Sequence, residues 1–128
     1  MAPHLHSVVV VVSDQEAALD FYTRVLGWVK REDNQMSEDY RFLVVVPPGH
    51  STGVVLGPEH IHGRKAPGLA DPRDTDIYLV TDDLASEFER WTSEGVLFDG
   101  PPEPMPWGGL GARFCDPFGN RYFITDGA

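Results

Sequence analysis

Two stretches of the chain repeat one pattern of apolar and polar positions. The first opens on an unbroken β-branched run, Val8 to Val12, within a segment from 5 to 13 that reads as a buried strand. It passes through Ser13-Asp14 and continues with Ala18, Leu19, Tyr22, Val25 and Leu26 at helical spacing, up to Gly27. The second runs from Ile77 to Val80, through Asp82-Asp83, then Phe88 and Trp91, up to Gly95. Asp14 and Asp83 stand 69 positions apart, each where an N-cap belongs, and each glycine stands where a left-handed residue ends a helix. Such a repeat is the mark of one supersecondary unit used twice.

Turn residues divide the remainder. Short strands are predicted near Trp28 to Glu32, Tyr40 to Val46 and Thr52 to Gly57, with Pro47-Pro48-Gly49 as a turn, which makes the first copy a βαβββ unit. The second copy is predicted as a strand at about 76 to 81, a helix from Asp83 to Glu94, and strands at Val96 to Phe98, 110 to 115 and 121 to 125. The expected fold class is α+β: a single domain over 1–128, with module 1 at about 4–57, a linker at about 58–75 and module 2 at about 76–126. Two such modules set face to face form a concave mixed sheet around a ligand cavity. The linker is rich in Pro, Gly and charge and has no apolar period of its own, so it reads as a mobile or functional loop. Gly100 to Gly109 carries four prolines and ends in Trp107-Gly108-Gly109, so it should hold one shape.

Composition narrows the function classes. At 128 residues and 41% hydrophobic, the chain can bury a core of its own, and no apolar run approaches the roughly 18 to 20 residues that span a bilayer. The first residues lack the basic and apolar regions of a leader, and the only cysteine, Cys115, allows no intrachain disulfide, so a reducing cytoplasm is expected. Cys115 reads as a small buried hydrophobe. The net charge of −10 repels phosphate backbones, which argues against nucleic acid as a partner and would favour a cationic ligand.

Ser13-Asp14, Phe21-Tyr22, Leu26-Gly27, the segment Gly95 to Phe98, Pro106-Trp107-Gly108, and Phe114 to Asn120 with its Asp116-Pro117 and Gly119-Asn120 turn together carry a resemblance. Over essentially its whole length the chain resembles the vicinal oxygen chelate superfamily of glyoxalase I, extradiol dioxygenases and bleomycin resistance proteins. That fold hosts many functions, so the chemistry has to be argued from the site.

The resemblance implies four metal-ligand positions, two from each module, where an ion polarises a substrate oxygen. Anchored on Asp14, Asp83 and Gly119, these fall on Ser7, Val55, Asp76 and Phe123. Valine and phenylalanine cannot ligate, so neither a metal nor a cofactor is expected. Two His-x-His pairs stand nearby, His4 with His6 and His60 with His62, and each would aim two imidazoles to one side of an extended segment. A one-residue bulge would turn His6 into the Ser7 position, but it would still leave Val55 and Phe123 without donors. The histidines are therefore read as structural or surface residues. No Gly-x-Ser-x-Gly, phosphate loop or cysteine cluster is present.

Aromatic residues remain. In the fold that the resemblance implies, Trp28, Tyr40, Phe42, Tyr78, Phe114 and Phe123 lie on or beside the strands of the concave surface. Trp107 matches the Trp-Gly element with which bleomycin resistance proteins stack on the planar part of a drug. The expected function is metal-free binding, and so sequestration, of a large, partly flat and aromatic antibiotic. Trp107, Phe42, Tyr40, Trp28, Val55, Asp76, Tyr78, Arg113 and Phe123 would line the site, and no residue is assigned a catalytic role. The resemblance also implies a homodimer. Rival readings are a metal-dependent glyoxalase or dioxygenase, and a metal-independent enzyme with Asp76 or Arg113 as its polar group.

Overall fold

The computed structural model describes residues 1–127. They form two compact units, Met1–Ala66 and a second from Pro67 onward, each built on its own mixed sheet. No helix among the described residues is long and apolar enough to cross a membrane.

The first unit runs β1 (Ser7–Val12), α1 (Gln15–Asp20) with a π-helical turn over Phe21–Val25, β2 (Val29–Ser37), β3 (Tyr40–Val46), β4 (Gly53–Pro58) and α2 (Glu59–His62). Strand order is β1-β4-β3-β2, with β1 parallel to β4 and the other neighbours antiparallel. Val10 to Val12, Leu43 to Val46 and Val54 to Leu56 are all buried, which is why these strands read as continuous apolar runs rather than alternating ones. Asp14 caps α1 by accepting from Ala17 N–H at 3.0 Å. The Thr23 hydroxyl donates to the Leu19 carbonyl at 2.7 Å, and the helix widens so that Leu26 N–H donates to Phe21 O at 3.1 Å. That turn brings Phe21, Tyr22, Val25 and Leu26 into the core together, and Gly27 at φ 81° then releases the chain.

The second unit runs β5 (Arg73–Val80), α3 (Leu84–Ser93), β6 (Leu97–Phe98), β7 (Glu103–Pro104), β8 (Leu110–Cys115) and β9 (Asn120–Thr125). Its order is β5-β9-β8-β6, with β7 also on β8. Asp83 caps α3 through Ser86 N–H at 3.1 Å. Beneath α3, Trp91 meets Phe114 at 5.1 Å and Phe98 at 6.4 Å, and Phe114 stacks on Tyr122 at 5.4 Å. Full burial of a side chain such as Phe114 stabilises the fold by roughly 1.5 to 3 kcal/mol.

The turn between β8 and β9 is built around Asp116, which is fully buried. Its carboxylate accepts from Phe118 N–H (2.9 Å), Asn120 N–H (3.0 Å) and the Asn120 side-chain amide (2.9 Å). Gly119 takes φ 84°, and a Cβ there would stand 2.2 Å from the Gly68 carbonyl oxygen. The close approach lets Gly68 N–H donate to Phe118 O at 2.7 Å and Arg73 N–H to Gly119 O at 2.9 Å, which seats the entry to β5 against this turn.

Several elements differ from expectation. β2 extends to Ser37 rather than ending near Glu32, because pairing with β3 and the Asp33–Arg41 ion pair outweigh the poor strand propensity of its polar residues. β5 begins at Arg73, and α2 lies within what was expected to be a mobile or functional loop. The proline-rich segment contains β7.

Candidate functional site

Side chains alternate across a strand, so the register places Tyr78, Phe123 and Arg113 side by side on the face of the second sheet opposite α3. Phe123 is the floor, 7% exposed. Tyr78 tilts against it at 4.9 Å, Trp107 meets it edge to face at 6.0 Å, and the Arg113 guanidinium lies 5.3 Å from its ring centroid. Tyr78 and Trp107 are nevertheless 69% and 52% exposed, so their free faces are available to a planar partner.

The backbone around Trp107 is fixed. Gly108 N–H donates to Met105 O at 3.0 Å, closing a turn with Pro106 at its second position, and Met105 N–H donates to Gly109 O at 3.0 Å. Gly108 (φ 95°) and Gly109 (φ 69°) lie flat on the chain end: a Cβ on Gly109 would stand 2.6 Å from Gly127 Cα. The indole N–H donates to Thr125 Oγ1 at 3.3 Å, and Thr125 donates to Leu110 O at 2.7 Å. The Asp126 carboxylate accepts from Leu110 N–H (2.7 Å) and Leu84 N–H (3.0 Å), bonds that hold its pKa below the usual carboxylate range. One edge of Trp107 is thus committed to packing, and one face is displayed.

Asp76 lies in a bulge of β5, where the register with β9 shifts between Asp74 and Tyr78. Its φ of 59° makes it the only non-glycine with a left-handed backbone among the described residues, and its side chain is exposed. Thr75 holds the bulge, donating to Arg121 O at 2.8 Å and accepting from Ile77 N–H at 3.1 Å. Bulges of this kind re-aim a side chain.

The expected site residues of the first unit have separate surroundings. Tyr40 and Phe42 meet edge to face at 6.5 Å on β3. Arg41, between them, reaches Glu16 on α1 at 2.5 Å, so the aromatic pair is on the face away from α1. Val55 is buried on β4 beside Val9 and Val44. Trp28 precedes β2, is part-exposed, and packs at 5.5 Å against the fully buried Tyr22.

The resemblance assigns metal-ligand positions to Ser7 and Val55, in the first unit, and to Asp76 and Phe123, in the second. Ser7 offers a hydroxyl, Asp76 a carboxylate, and Val55 and Phe123 nothing. Among the described residues no three His, Cys, Asp or Glu side chains converge as metal ligands would. β1 pairs with β4 in unbroken register from Ser7 to Val12, so the bulge that would turn His6 inward is not there. His6 is instead bonded to Ser7 Oγ at 2.9 Å and to Glu32 at 3.0 Å. His60 and His62 diverge because their segment is the helix α2, not an extended chain. His60 meets the Asp39 carbonyl at 2.5 Å, whereas His62 lies over Gly57, where a Cβ would be 2.3 Å from its Nε2. Burial, with the Arg64 charge, lowers the His62 pKa. Burial likewise pushes the Cys115 thiol up, away from nucleophilic use.

Two cavities add residues that sequence reasoning missed. In the second unit a pocket of about 170 Å³ beside Phe123 and Arg113 is completed by Asp99, Glu103 and Met105. Its one sequence signal is Gly111 inside β8: Met105 Cγ would stand 2.8 Å from a Cβ there. In the first unit a cavity of about 590 Å³ is bounded by Ser13, Pro58, His60, Arg64 and Lys65.

The model of the Glyoxalase/Bleomycin resistance protein/Dioxygenase superfamily matches residues 4–122, and the chain belongs to that superfamily. A superfamily member of solved structure from Sphaerobacter thermophilus DSM 20745 is 42% identical with a TM-score of 0.89, over 98% of each chain. TnmS3, an antibiotic binding protein from Streptomyces sp. CB03234, is 32% identical with a TM-score of 0.81, over 99% of this chain and 98% of its own. An uncharacterised protein of Shewanella frigidimarina (strain NCIMB 400) is 34% identical over 124 residues, 90% of this chain and 87% of that protein.

Proposed function

We propose that the chain binds, and so sequesters, a partly flat aromatic antibiotic without a bound metal, and does so as a homodimer. The observation that carries this reading is the platform of Phe123, Tyr78, Trp107 and Arg113. It is a set of π-faces held by backbone bonds, displayed on one face of the sheet and accompanied by an exposed guanidinium. Stacking on a rigid platform spares the ordering cost that a flexible site would have to meet. The likeness to TnmS3, a protein described as antibiotic binding, supports the same reading. Trp28, Tyr40, Phe42, Val55 and Asp76 are proposed as further ligand contacts.

The test is a tryptophan-fluorescence titration with a panel of planar aromatic antibiotics, followed by recovery of the bound compound. Saturable quenching and an unmodified compound are expected. Recovery of a hydrolysed or oxidised product would overturn sequestration. It would favour a metal-independent enzyme, for which the strained, re-aimed Asp76 is the specific candidate.

A further inference from the structure

We infer that the first unit carries a second, separate binding site, for a small organic anion bearing a carboxylate or phosphate group. The cavity of about 590 Å³ bounded by Ser13, Pro58, His60, Arg64 and Lys65 is within the size range of small-molecule sites, and no residue of the aromatic platform lines it. Its sign is unusual for a chain of net charge −10. Two adjacent cations and an imidazole border it, whereas Glu59, the carboxylate present, is already committed. One oxygen of Glu59 accepts from Ala66 N–H at 2.7 Å and the other faces Lys65 at 3.9 Å.

Arg64 is the decisive side chain. Elsewhere in this unit Arg24, Lys30, Arg31 and Arg41 each pair with a carboxylate. Arg64 has no such partner among the described residues, and its guanidinium keeps every donor for a ligand. The segment that presents it is preorganised. Gly63, at φ 65°, ends α2; Arg64 N–H donates to Glu59 O at 3.3 Å; and His60 is tethered to the Asp39 carbonyl. The Ser13 hydroxyl adds a neutral donor, and Val12 and Pro58 give an apolar wall. A forked cation, an ammonium and a hydroxyl around a partly apolar cavity suit an anionic head on a short hydrocarbon body.

The test is an amide NMR titration of the full chain with two probes, butyrate and inorganic phosphate. Saturable shifts centred on Ser13, Gly63 and Arg64 are expected with a Kd on the order of 1 mM, tighter for butyrate because only it meets the apolar wall. Arg64→Ala with Lys65→Ala should weaken both at least about tenfold, while the melting temperature stays within about 2 degrees because both side chains are exposed. Arg64→Lys should retain part of the affinity. Unsaturable shifts, or shifts unchanged in the double variant, would overturn the site. No tryptophan lines this cavity, so its success or failure is independent of the fluorescence result for the aromatic platform.

Discussion

At the scale of single residues, the same chemical type does different work according to what holds it. Trp107 and Phe123 touch, yet one is half exposed and the other 7% exposed. Trp107→Ala should weaken binding of a planar antibiotic about 10- to 100-fold, the loss of an aromatic anchor that the ligand would cover, with a melting temperature lower by only a few degrees. Phe123→Ala should cost about 3 to 5 kcal/mol of stability as well, because it opens a cavity beneath Tyr78 and Arg113. If Trp107→Ala unfolds the chain while leaving the affinity of surviving protein unchanged, the indole is only a packing residue. Asp116 is the opposite kind of residue, fully buried and bonded within its own turn. Asp116→Ala leaves the Phe118 N–H, Asn120 N–H and Asn120 amide without their acceptor, so a loss of about 3 kcal/mol or more is expected in urea denaturation. Gly119→Ala should be comparably damaging, from its left-handed backbone and the Gly68 carbonyl. Near-native stability in both variants would refute this account of the turn.

At the scale of elements, legibility followed local signals. β1, α1, α3 and β8 were readable because an apolar period and a cap or glycine agree with the final packing. The π-helical end of α1 was not, since it depends on Thr23 bonding Leu19 O rather than on any period. The far half of β2 was hidden because Glu32, Asp33, Asn34 and Gln35 are poor strand residues that pair only once β3 is present. The aromatic residues of the site could be listed, but not grouped. Only the register brings Tyr78, Phe123 and Arg113 together, and the Asp76 bulge and the Met105 contact leave little trace in composition. The β2–β3 hairpin makes a prediction of its own. Arg41 pairs with Asp33 through two bonds of 2.7 and 2.8 Å, and the side chains are only 20% and 23% exposed. The Arg41 guanidinium holds the Asp33 carboxyl well below the usual carboxylate range. A carboxylate with a depressed folded pKa stabilises the native state above its unfolded pKa of about 3.9, and that contribution is lost as pH falls toward the folded value. Arg41→Met should therefore cost about 1 to 2 kcal/mol at neutral pH, a gap that closes steadily below about pH 4. Parallel pH dependence of variant and parent would show that the pair contributes nothing to stability.

At the scale of the whole molecule, the strand edges bear on assembly. Among the described residues each sheet ends in edge strands that pair on one side only within that sheet. Nine-residue β2 is one of them, and Val29, Met36 and Leu97 on edge strands are 50%, 60% and 55% exposed. Edge strands with exposed apolar side chains call for protection, and a twofold partner would supply it while keeping both copies equivalent. Lys30, Arg31, Glu32 and Asp33 on β2 discourage indiscriminate edge pairing, so a partner has to match that charge pattern or use the apolar positions. Association also has to overcome the repulsion of two chains of net charge −10, a long-range term that salt screens over about 10 Å at 0.1 M. The expected result is therefore specific in two ways. In sedimentation equilibrium the protein should approach twice 14.2 kDa, and the dimer should tighten as salt is raised from low to moderate concentration. Met36→Asp and Leu97→Asp together add like charge to exposed apolar positions and should shift the equilibrium to monomer with little loss of thermal stability. A chain that stays strictly monomeric at every salt concentration, yet takes up a planar antibiotic with undiminished affinity, would show that one copy of the aromatic platform suffices and that the proposed homodimer forms no part of the function.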